Sequence, residues 1–180
     1  MLRKERMIQK MFEILFRGFT PAENGKDKVF VNGEWIKGEW VQGSYVRLDK
    51  TTYCFKEDYE ADPDNTEHYI VYDKMTDWGL PNIHVHAKVI PETVGQFTGL
   101  TDKNGKKICK GDVLKSIWDE EYPEDFCHEV VLWYENGWCI KQGKATPDRL
   151  DGTYKNNCLE YSEVVGNVWD HPELLEEGVE

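Results

Sequence analysis

The stretch VGQFTGLTDKNGKKICKGDVL, residues 94–114, decides how the chain folds. Its apolar ends enclose two turn signals, NG at 104–105 and KGD at 110–112. Asn-Gly supplies the positive-φ positions that a tight hairpin turn needs, and glycine with aspartate is typical of turns in general. The stretch therefore predicts a strand over 96–100, a short return, and a further strand from Val113, which together make an antiparallel meander.

The rest of the chain alternates apolar and polar residues in short runs between turn signals, which favours a mainly β protein of antiparallel strands and hairpins with few short helices. KVFVNGEWIKGEWVQGSYVRL, residues 28–48, predicts a hairpin at Asn32-Gly33. Further strands are predicted at TTYCFKE (51–57), EHYIVYD (67–73), NIHVHAKVI (82–90), VVLWYENGWCIKQ (130–142, a hairpin through ENG) and EVVGNVW (163–169). The pattern points to a small, strongly bent barrel or sandwich whose core includes Trp35, Tyr45 and Trp133.

Three segments do not follow the strand pattern. The acidic run 58–67 predicts a loop, and residues 142–162 predict irregular structure. In DHPELLEEGVE, Asp170 and Pro172 are placed to begin a short terminal helix.

The first fifteen residues form a separate segment. Apolar side chains fall near helical spacing there, so residues 1–15 are a short helix or a leader. Gln9, Lys10 and Glu13 interrupt the apolar run, which argues against a signal peptide or a membrane span.

The composition limits the partners, the cysteine chemistry and the compartment that we expect for the chain. A formal net charge of −12 repels nucleic-acid phosphates, so duplex binding is disfavoured. The five cysteines show no CxxC pair and are odd in number, which argues against a disulfide framework or a zinc clasp and for a reducing compartment. We expect a cytoplasmic protein with no membrane association. The cysteines are Cys54, Cys109, Cys127, Cys139 and Cys158.

A few residues have side chains that could bind a metal ion or take part in catalysis. His84 and His86 lie on one face of a predicted strand and make half of a metal site, although no spacing nominates further ligands. Cys127 and His128 are adjacent and therefore point to opposite faces of an extended segment, which makes a poor nucleophile and base pair. The acidic residues between 57 and 67 have the carboxylates that bind calcium but lack the spacing of an EF-hand loop, and we expect them to be solvated. They are Glu57, Asp58, Glu60, Asp62, Asp64 and Glu67.

The lysines of the meander make the one local basic patch, which either contacts an acidic or phosphate partner or protects a strand edge from unwanted pairing. They are Lys103, Lys106, Lys107, Lys110 and Lys115. No GxSxG, HExxH or P-loop pattern occurs. We therefore expect no enzymatic activity, no catalytic residues, and no metal or cofactor, with His84 and His86 as the weak metal candidates.

The opening stretch resembles the YopX family, proteins typically encoded by bacteriophages and prophages. The matching residues are Gly95, Gln96, Phe97, Thr98, Gly99, Leu100, Asp102, Lys103, Asn104, Gly105, Ile108, Gly111 and Asp112. The closing EVVGNVWDHPELLE, residues 163–176 with Gly166 and Asn167, also resembles the family. So does an early FRG (Phe16, Arg17, Gly18) followed by Trp35 and Gly38.

The resemblance implies a Src-homology-3-type barrel in the C-terminal part, and no catalytic residues. The predicted organisation is a leader over 1–15, an N-terminal β-rich part over 16–94 and a C-terminal small barrel over 95–180. Most motif residues are expected to be structural, with Asp102 and Asp112 capping turns and the glycines permitting bends.

The expected function is that of a phage or prophage accessory protein that binds an unknown host or phage protein. A homo-oligomer is an alternative. Three rival functions stay open: an acidic decoy that mimics DNA for a host DNA-processing protein, a metal-dependent enzyme that uses His84 and His86, and nucleic-acid binding by the lysines of the meander, which Lys106 and Lys107 changed to Glu would abolish. Salt dependence separates the decoy, since a complex held by charge weakens as salt rises.

Overall fold

The computed structural model describes residues 14–62, 65–75, 78–117, 121–122, 124–150 and 158–175. The described chain is mainly β, as predicted. The strands are β1 (Phe16–Pro21), β2 (Asp27–Val31), β3 (Glu34–Asp49), β4 (Thr66–Met75), β5 (Pro81–Lys88), β6 (Gly95–Asp102), β7 (Lys107–Cys109), β8 (Asp112–Ile117), β9 (Phe126–Tyr134), β10 (Gly137–Lys141), β11 (Asp148–Arg149), β12 (Cys158–Leu159) and β13 (Ser162–Asn167). One α-helix, α1 (Lys56–Ala61), lies between β3 and β4, and short 3-10 helices occupy Pro91–Thr93 and Pro172–Leu175.

The strands form two sheets. The larger has eight strands in the order β12-β6-β1-β3-β4-β5, with β2 also paired to β3 and β7 to β6. The smaller has five strands in the order β11-β10-β9-β8-β13. All pairs are antiparallel except β12 with β6, which run parallel. Because β6 pairs with β1, the predicted C-terminal part shares a sheet with the N-terminal part.

Local turn chemistry produces the hairpins where the sequence predicts them. Asn32 and Gly33 connect β2 to β3 with φ of 52° and 89°. Glu135, with a φ of 51°, lies in the turn between β9 and β10. Two consecutive positive φ angles match the right-handed twist of the flanking strands, which is why Asn-Gly is favoured there.

The predicted meander is wrong in one respect. β6 and β7 pair as expected, but β8 pairs with β9 and β13, so the chain leaves one sheet for the other between β7 and β8. Gly111 is the pivot, since its N–H donates to the carbonyl of Val131 and its own carbonyl accepts from the N–H of Val168. Both partners belong to the second sheet or its C-terminal extension, so tertiary hydrogen bonds replace the local hairpin.

The segment after β3 also differs from the prediction. TTYCFKE is not a strand, and the acidic residues that follow do not all lie in a loop, because residues 56–61 form α1. Its exposed ion pair between Lys56 and Glu60 has the i,i+4 spacing that favours a helix. Residues 142–162 contain β11 and β12, two residues each, and residues 151–157 lie outside the described part. The terminal helix is a single 3-10 turn, and Asp170 does not cap it but binds other side chains.

The largest buried cluster lies between the two sheets. It combines residues of β6, β7, β8, β9 and β13, namely Leu100, Ile108, Leu114, Val131 and Val164, together with Leu150. Two more clusters lie under the larger sheet, one around Ile70 and Ala87 and one around Phe19 and Val29. Each fully buried aliphatic side chain stabilises the fold by about 1.5–3 kcal/mol. The cluster around Leu114 draws on strands of both sheets and therefore holds them together.

The N-terminal segment is only partly described. The predicted helix over residues 1–15 falls mainly on residues 1–13, which lie outside the described part; the carbonyl of Leu15 accepts from the N–H of Phe97 at 2.8 Å. None of the helices in the described ranges has the length and apolar character needed to cross a membrane.

Candidate functional site

Asp102 fixes the turn inside the opening stretch. Its Oδ1 accepts from the backbone N–H groups of Asn104 and Lys106, at 2.9 and 2.8 Å. Its Oδ2 accepts from the N–H of Val164 in β13 at 2.9 Å. One buried carboxylate therefore closes the local turn and also ties it to a strand of the second sheet.

Asp112 lies at the start of β8 and joins the two sheets. Its Oδ1 is 2.7 Å from Nη2 of Arg17 in β1, and its Oδ2 accepts from the N–H of Cys109 at 2.7 Å. The contact with Arg17 is an ion pair without an aligned hydrogen bond. Burial raises the pKa of Asp112, while the Arg17 guanidinium and the Cys109 N–H act in the opposite direction. The guanidinium also lies over the ring of Trp40, 4.7 Å from the ring centroid.

Asp170 continues this polar cluster toward the C-terminus. The indole Nε1–H of Trp40 donates to its Oδ2 at 3.0 Å, and the side-chain amide of Asn167 donates to the same oxygen at 2.6 Å. Asn167 Oδ1 in turn accepts from the N–H groups of Trp169 and Asp170. Burial raises the pKa of Asp170. Asn167 thus orders the chain after β13 and aims Asp170 at Trp40.

Two motif glycines permit close approaches that no other residue fits. Gly111 has a φ of 84°, and a Cβ there would lie 2.4 Å from the ring of Trp169. A Cβ at Gly95 would lie 2.4 Å from the carbonyl oxygen of Lys110. The backbone at these points packs directly against another part of the chain.

The other family-motif residues also serve the fold. Thr98 is buried, donates its hydroxyl to the carbonyl of Ile108 and accepts from the N–H of Leu100. The Gln96 carbonyl accepts from the N–H of Lys110. Phe97 and Leu100 are buried, Gly99 and Gly105 have positive φ, and Gly166 packs against His171. The motif residues therefore contact one another and the early Arg17 and Trp40, and they form the joint between the sheets.

The lysines of the opening stretch are engaged within the chain. Lys103 forms an ion pair with Glu163, and Lys106 donates to the carbonyl of Val164. Lys107 lies over the ring of Phe97, and Lys115 lies over the ring of Phe126. Lys110 contributes its backbone to the contact with Gly95. The ammonium groups of Lys103, Lys106, Lys107 and Lys115 therefore each have a contact within the chain.

The histidines are exposed on β5, with His84 Nδ1 2.5 Å from Oδ1 of Asp73. Within the described ranges, no three His, Cys, Asp or Glu residues of the chain cluster as a metal site.

The structure describes the surroundings of four of the cysteines and of most of the acidic run. Cys54 is exposed, and the buried Cys109, Cys127 and Cys139 are free thiols; burial raises the pKa of Cys109 to about 11. His128 packs against Phe126, and Cys127 faces the interior. Among the acidic residues, Asp62 accepts from the Tyr53 hydroxyl, which raises the pKa of Tyr53 to about 12, and Glu67 binds Lys88 and Tyr69. Glu57, Asp58 and Glu60 lie on α1, while Asp64 lies outside the described residues.

One surface stands out by its apolar exposure. The hairpin of β4 and β5 carries large side chains that are more than half exposed, namely Met75 (56%), Trp78 (89%), Leu80 (65%) and Ile83 (53%). We call these four residues the apolar patch. Ile83 lies on the same face of β5 as the half-buried Val85 and the buried Ala87, so this strand face runs from the core out to the patch. The sequence indicated the alternation of β5 but not the exposure of its outer end.

Two aromatic residues that the sequence assigned to the core are on the surface. Trp35 and Trp133 are about half exposed, and each packs beside another ring, Phe30 and Trp138 respectively. Tyr45 is half-buried against the core and hydrogen-bonds to His68. Trp35 and Trp133 lie beside hairpin turns, where the sheet extends beyond the core, and that explains the difference.

Comparisons with known proteins identify the family. A search of curated proteins finds no match. Among solved structures, the crystal structure of protein EF1440 from Enterococcus faecalis is similar at 16% sequence identity and a TM-score of 0.40, covering 88% of this chain and 97% of that one. The model of the family described as YopX protein matches residues 34–176, most of the chain, including the opening stretch and the segment from β13 to Asp170. The chain therefore belongs to the YopX family.

Proposed function

We propose that the chain is an accessory protein of a bacteriophage or prophage that acts in the bacterial cytoplasm by binding another protein through the apolar patch. The proposal assigns no reaction to the chain. Family membership supports the phage setting, since the sequence resemblance is to proteins typically encoded by phages. The observation that supports the binding role is the exposure of Met75, Trp78, Leu80 and Ile83 on one projecting hairpin.

Exposure of this kind costs solubility and is characteristic of protein interaction sites. Contiguous exposed apolar surface on a soluble protein marks a binding or aggregation site, whereas scattered single residues need no explanation. Tryptophan and methionine are enriched at the centres of protein interfaces. The patch combines both with two aliphatic residues at the end of one hairpin, so a partner can bury them together.

The charge of the chain suggests the character of the partner. A net charge of −12 steers a protein with a basic surface toward the chain and slows encounters with acidic proteins. We therefore propose a partner, encoded by the host or the phage, that has an apolar contact area within a basic surround. The apolar contact supplies the affinity, and the charge raises the association rate.

The experiment is affinity capture from a bacterial lysate with three forms of the chain: wild type, Trp78→Ser/Ile83→Ser, and Trp133→Ser/Tyr134→Ser. The second pair of residues is a matched control, because Trp133 and Tyr134 are comparably exposed on the hairpin of β9 and β10. All these side chains are on the surface, so the folded state should survive each change, and circular dichroism checks this. We expect the wild type and the control to retain the same protein and the patch variant to lose it. Equal retention by the patch variant contradicts the proposal.

A second candidate function is the acidic decoy, and the charge of −12 is the observation that favours it. A complex held mainly by charge weakens steeply as salt rises, because mobile ions screen the interaction. A complex held by the apolar patch keeps its affinity. Repeating the capture at low and moderate salt therefore assigns the retained protein to one candidate or the other.

A further inference from the structure

β5 lies at the end of the larger sheet, and its outer edge has no paired strand among the described residues. The N–H of Val89 donates to the carbonyl of His68 in β4, at 2.8 Å. Backbone groups alternate between the two sides of an antiparallel strand, so the odd-numbered residues of β5 face β4. The N–H and C=O groups of His84 and His86 therefore point to the outer edge, which is a template for another strand.

The same two residues present their imidazoles together. His84 and His86 are both exposed and lie on one face of β5, opposite the face that carries Ile83. Oδ1 of Asp73, the residue that pairs with His84 on β4, lies 2.5 Å from His84 Nδ1. When Nδ1–H donates to this carboxylate, the lone pair of Nε2 points away and is available to a cation. A carboxylate that orients an imidazole in this way is common behind metal-binding histidines.

A second copy of the chain completes the site by symmetry. If two β5 strands pair antiparallel about a two-fold axis through Val85, His84 lies opposite His86 of the partner subunit, and the reverse pair follows. In this register the backbone groups that point to the outer edge of one β5 strand hydrogen-bond to those of the other. Pro81 has no N–H, and it lies at a position that donates no hydrogen bond across the joint. Opposite side chains have Cβ atoms about 5 Å apart. Four imidazoles then lie on one face across the joint.

We propose that His84 and His86 form half of a transition-metal site that two copies of the chain complete by pairing edge to edge along β5. Four neutral imidazoles suit a tetrahedral Zn²⁺ ion or a similar first-row cation. Each copy carries a net charge of −12, which opposes pairing without the cation. The cation therefore controls the association. Ile83 of the apolar patch lies on the other face of β5, and Trp78 and Leu80 lie between β4 and β5 in the same hairpin.

The test uses the full chain without a histidine tag, stripped of metal with EDTA. Sedimentation velocity during a ZnCl₂ titration should show a monomer that becomes a dimer with one zinc ion per two chains, and EDTA should reverse the change. Co²⁺ in place of zinc should give the intense visible absorption of a tetrahedral site. His84→Gln and His86→Gln should each abolish the metal-dependent dimer, while the control His128→Gln, on β9, should leave it unchanged.

Two further variants sharpen the assignment. Asp73→Asn should weaken zinc binding by about 10-fold without changing the stoichiometry, because the positioning carboxylate is lost and the ligands remain. Trp78→Ser, which leaves β5 unchanged, should keep the zinc dimer even where it loses its protein partner, so the two proposals can be tested separately. Zinc bound by the monomer at one ion per chain, a dimer that His84→Gln retains, or a chain that takes up no zinc would each overturn the shared site.

Discussion

Arg17 in β1 and Asp112 in β8 form a buried ion pair, with 2.7 Å between Nη2 and Oδ1, that links the two sheets. The side chain of Asp112 is fully buried, and Arg17 is also covered by the ring of Trp40. Asp112 lies within the range that matches the family model, and Arg17 precedes that range. The contact joins the early FRG segment to the distant GD turn, and each charge offsets the cost of burying the other.

Arg17→Met should destabilise the fold by about 3–5 kcal/mol, because it leaves the Asp112 carboxylate buried without its counter-charge. The double variant Arg17→Met/Asp112→Asn should recover much of this loss, since the amide carries no charge and its oxygen can still accept from the N–H of Cys109. Urea denaturation followed by tryptophan fluorescence measures the free energy of unfolding of each form. A loss below about 1 kcal/mol in the single variant would show that the pair does not hold the sheets.

Gly111→Ala should cost much more stability than Gly105→Ala. Both positions have positive φ, 84° and 77°, so both variants carry a backbone penalty of about 1–2 kcal/mol. Only at Gly111 does the added Cβ meet a neighbour, 2.4 Å from the Trp169 ring, whereas the space around Gly105 is open. Thermal and urea unfolding should give a lower free energy of unfolding for Gly111→Ala than for Gly105→Ala. Equal stabilities would contradict the packing of Trp169 against Gly111, where the chain passes from one sheet to the other.

Glu129→Gln should stabilise the protein at neutral pH and have less effect in acid. Glu129 is buried in β9, and burial raises its pKa, while a hydrogen bond from Ser116 lowers it. The folded state therefore binds the proton of Glu129 more tightly than the unfolded state, in which the pKa of a glutamate is about 4.3. As the pH rises above this value, deprotonation of Glu129 lowers the free energy of unfolding.

The measurement is the melting temperature of both forms from about pH 4 to pH 8; Asp112 and Asp170 are common to the two forms, so their contributions cancel in the comparison. The difference in melting temperature should grow toward the higher pH. A constant difference, or one that grows toward acid, contradicts a raised pKa for Glu129.

Features set by neighbouring residues were predictable from the sequence. Asn32-Gly33 specifies its hairpin, because the two positive φ angles belong to adjacent residues, and in the ENG turn the positive φ is that of Glu135. The sequence did not predict the helix α1, because six residues with an acidic first turn carry little periodic signal.

Features set by distant residues were not predictable. The turn at Gly111 has the local signature of a hairpin, but hydrogen bonds to Val131 and Val168 carry the chain into the other sheet. The exposure of the apolar patch has the same origin. Whether Ile83 packs in the core or faces solvent depends on how far β4 and β5 extend past the other strands, and alternation along the chain does not encode that.

The family-motif residues lie in the joint between the sheets, and we propose that the binding surface lies on the hairpin of β4 and β5. Hydrogen–deuterium exchange of the chain alone and in complex with its captured partner tests this division most directly. We expect binding to slow exchange in the region from Tyr72 to Val85 and to leave residues 95–112 unchanged. Protection centred on residues 95–112, with none at the hairpin of β4 and β5, would contradict this location of the binding surface.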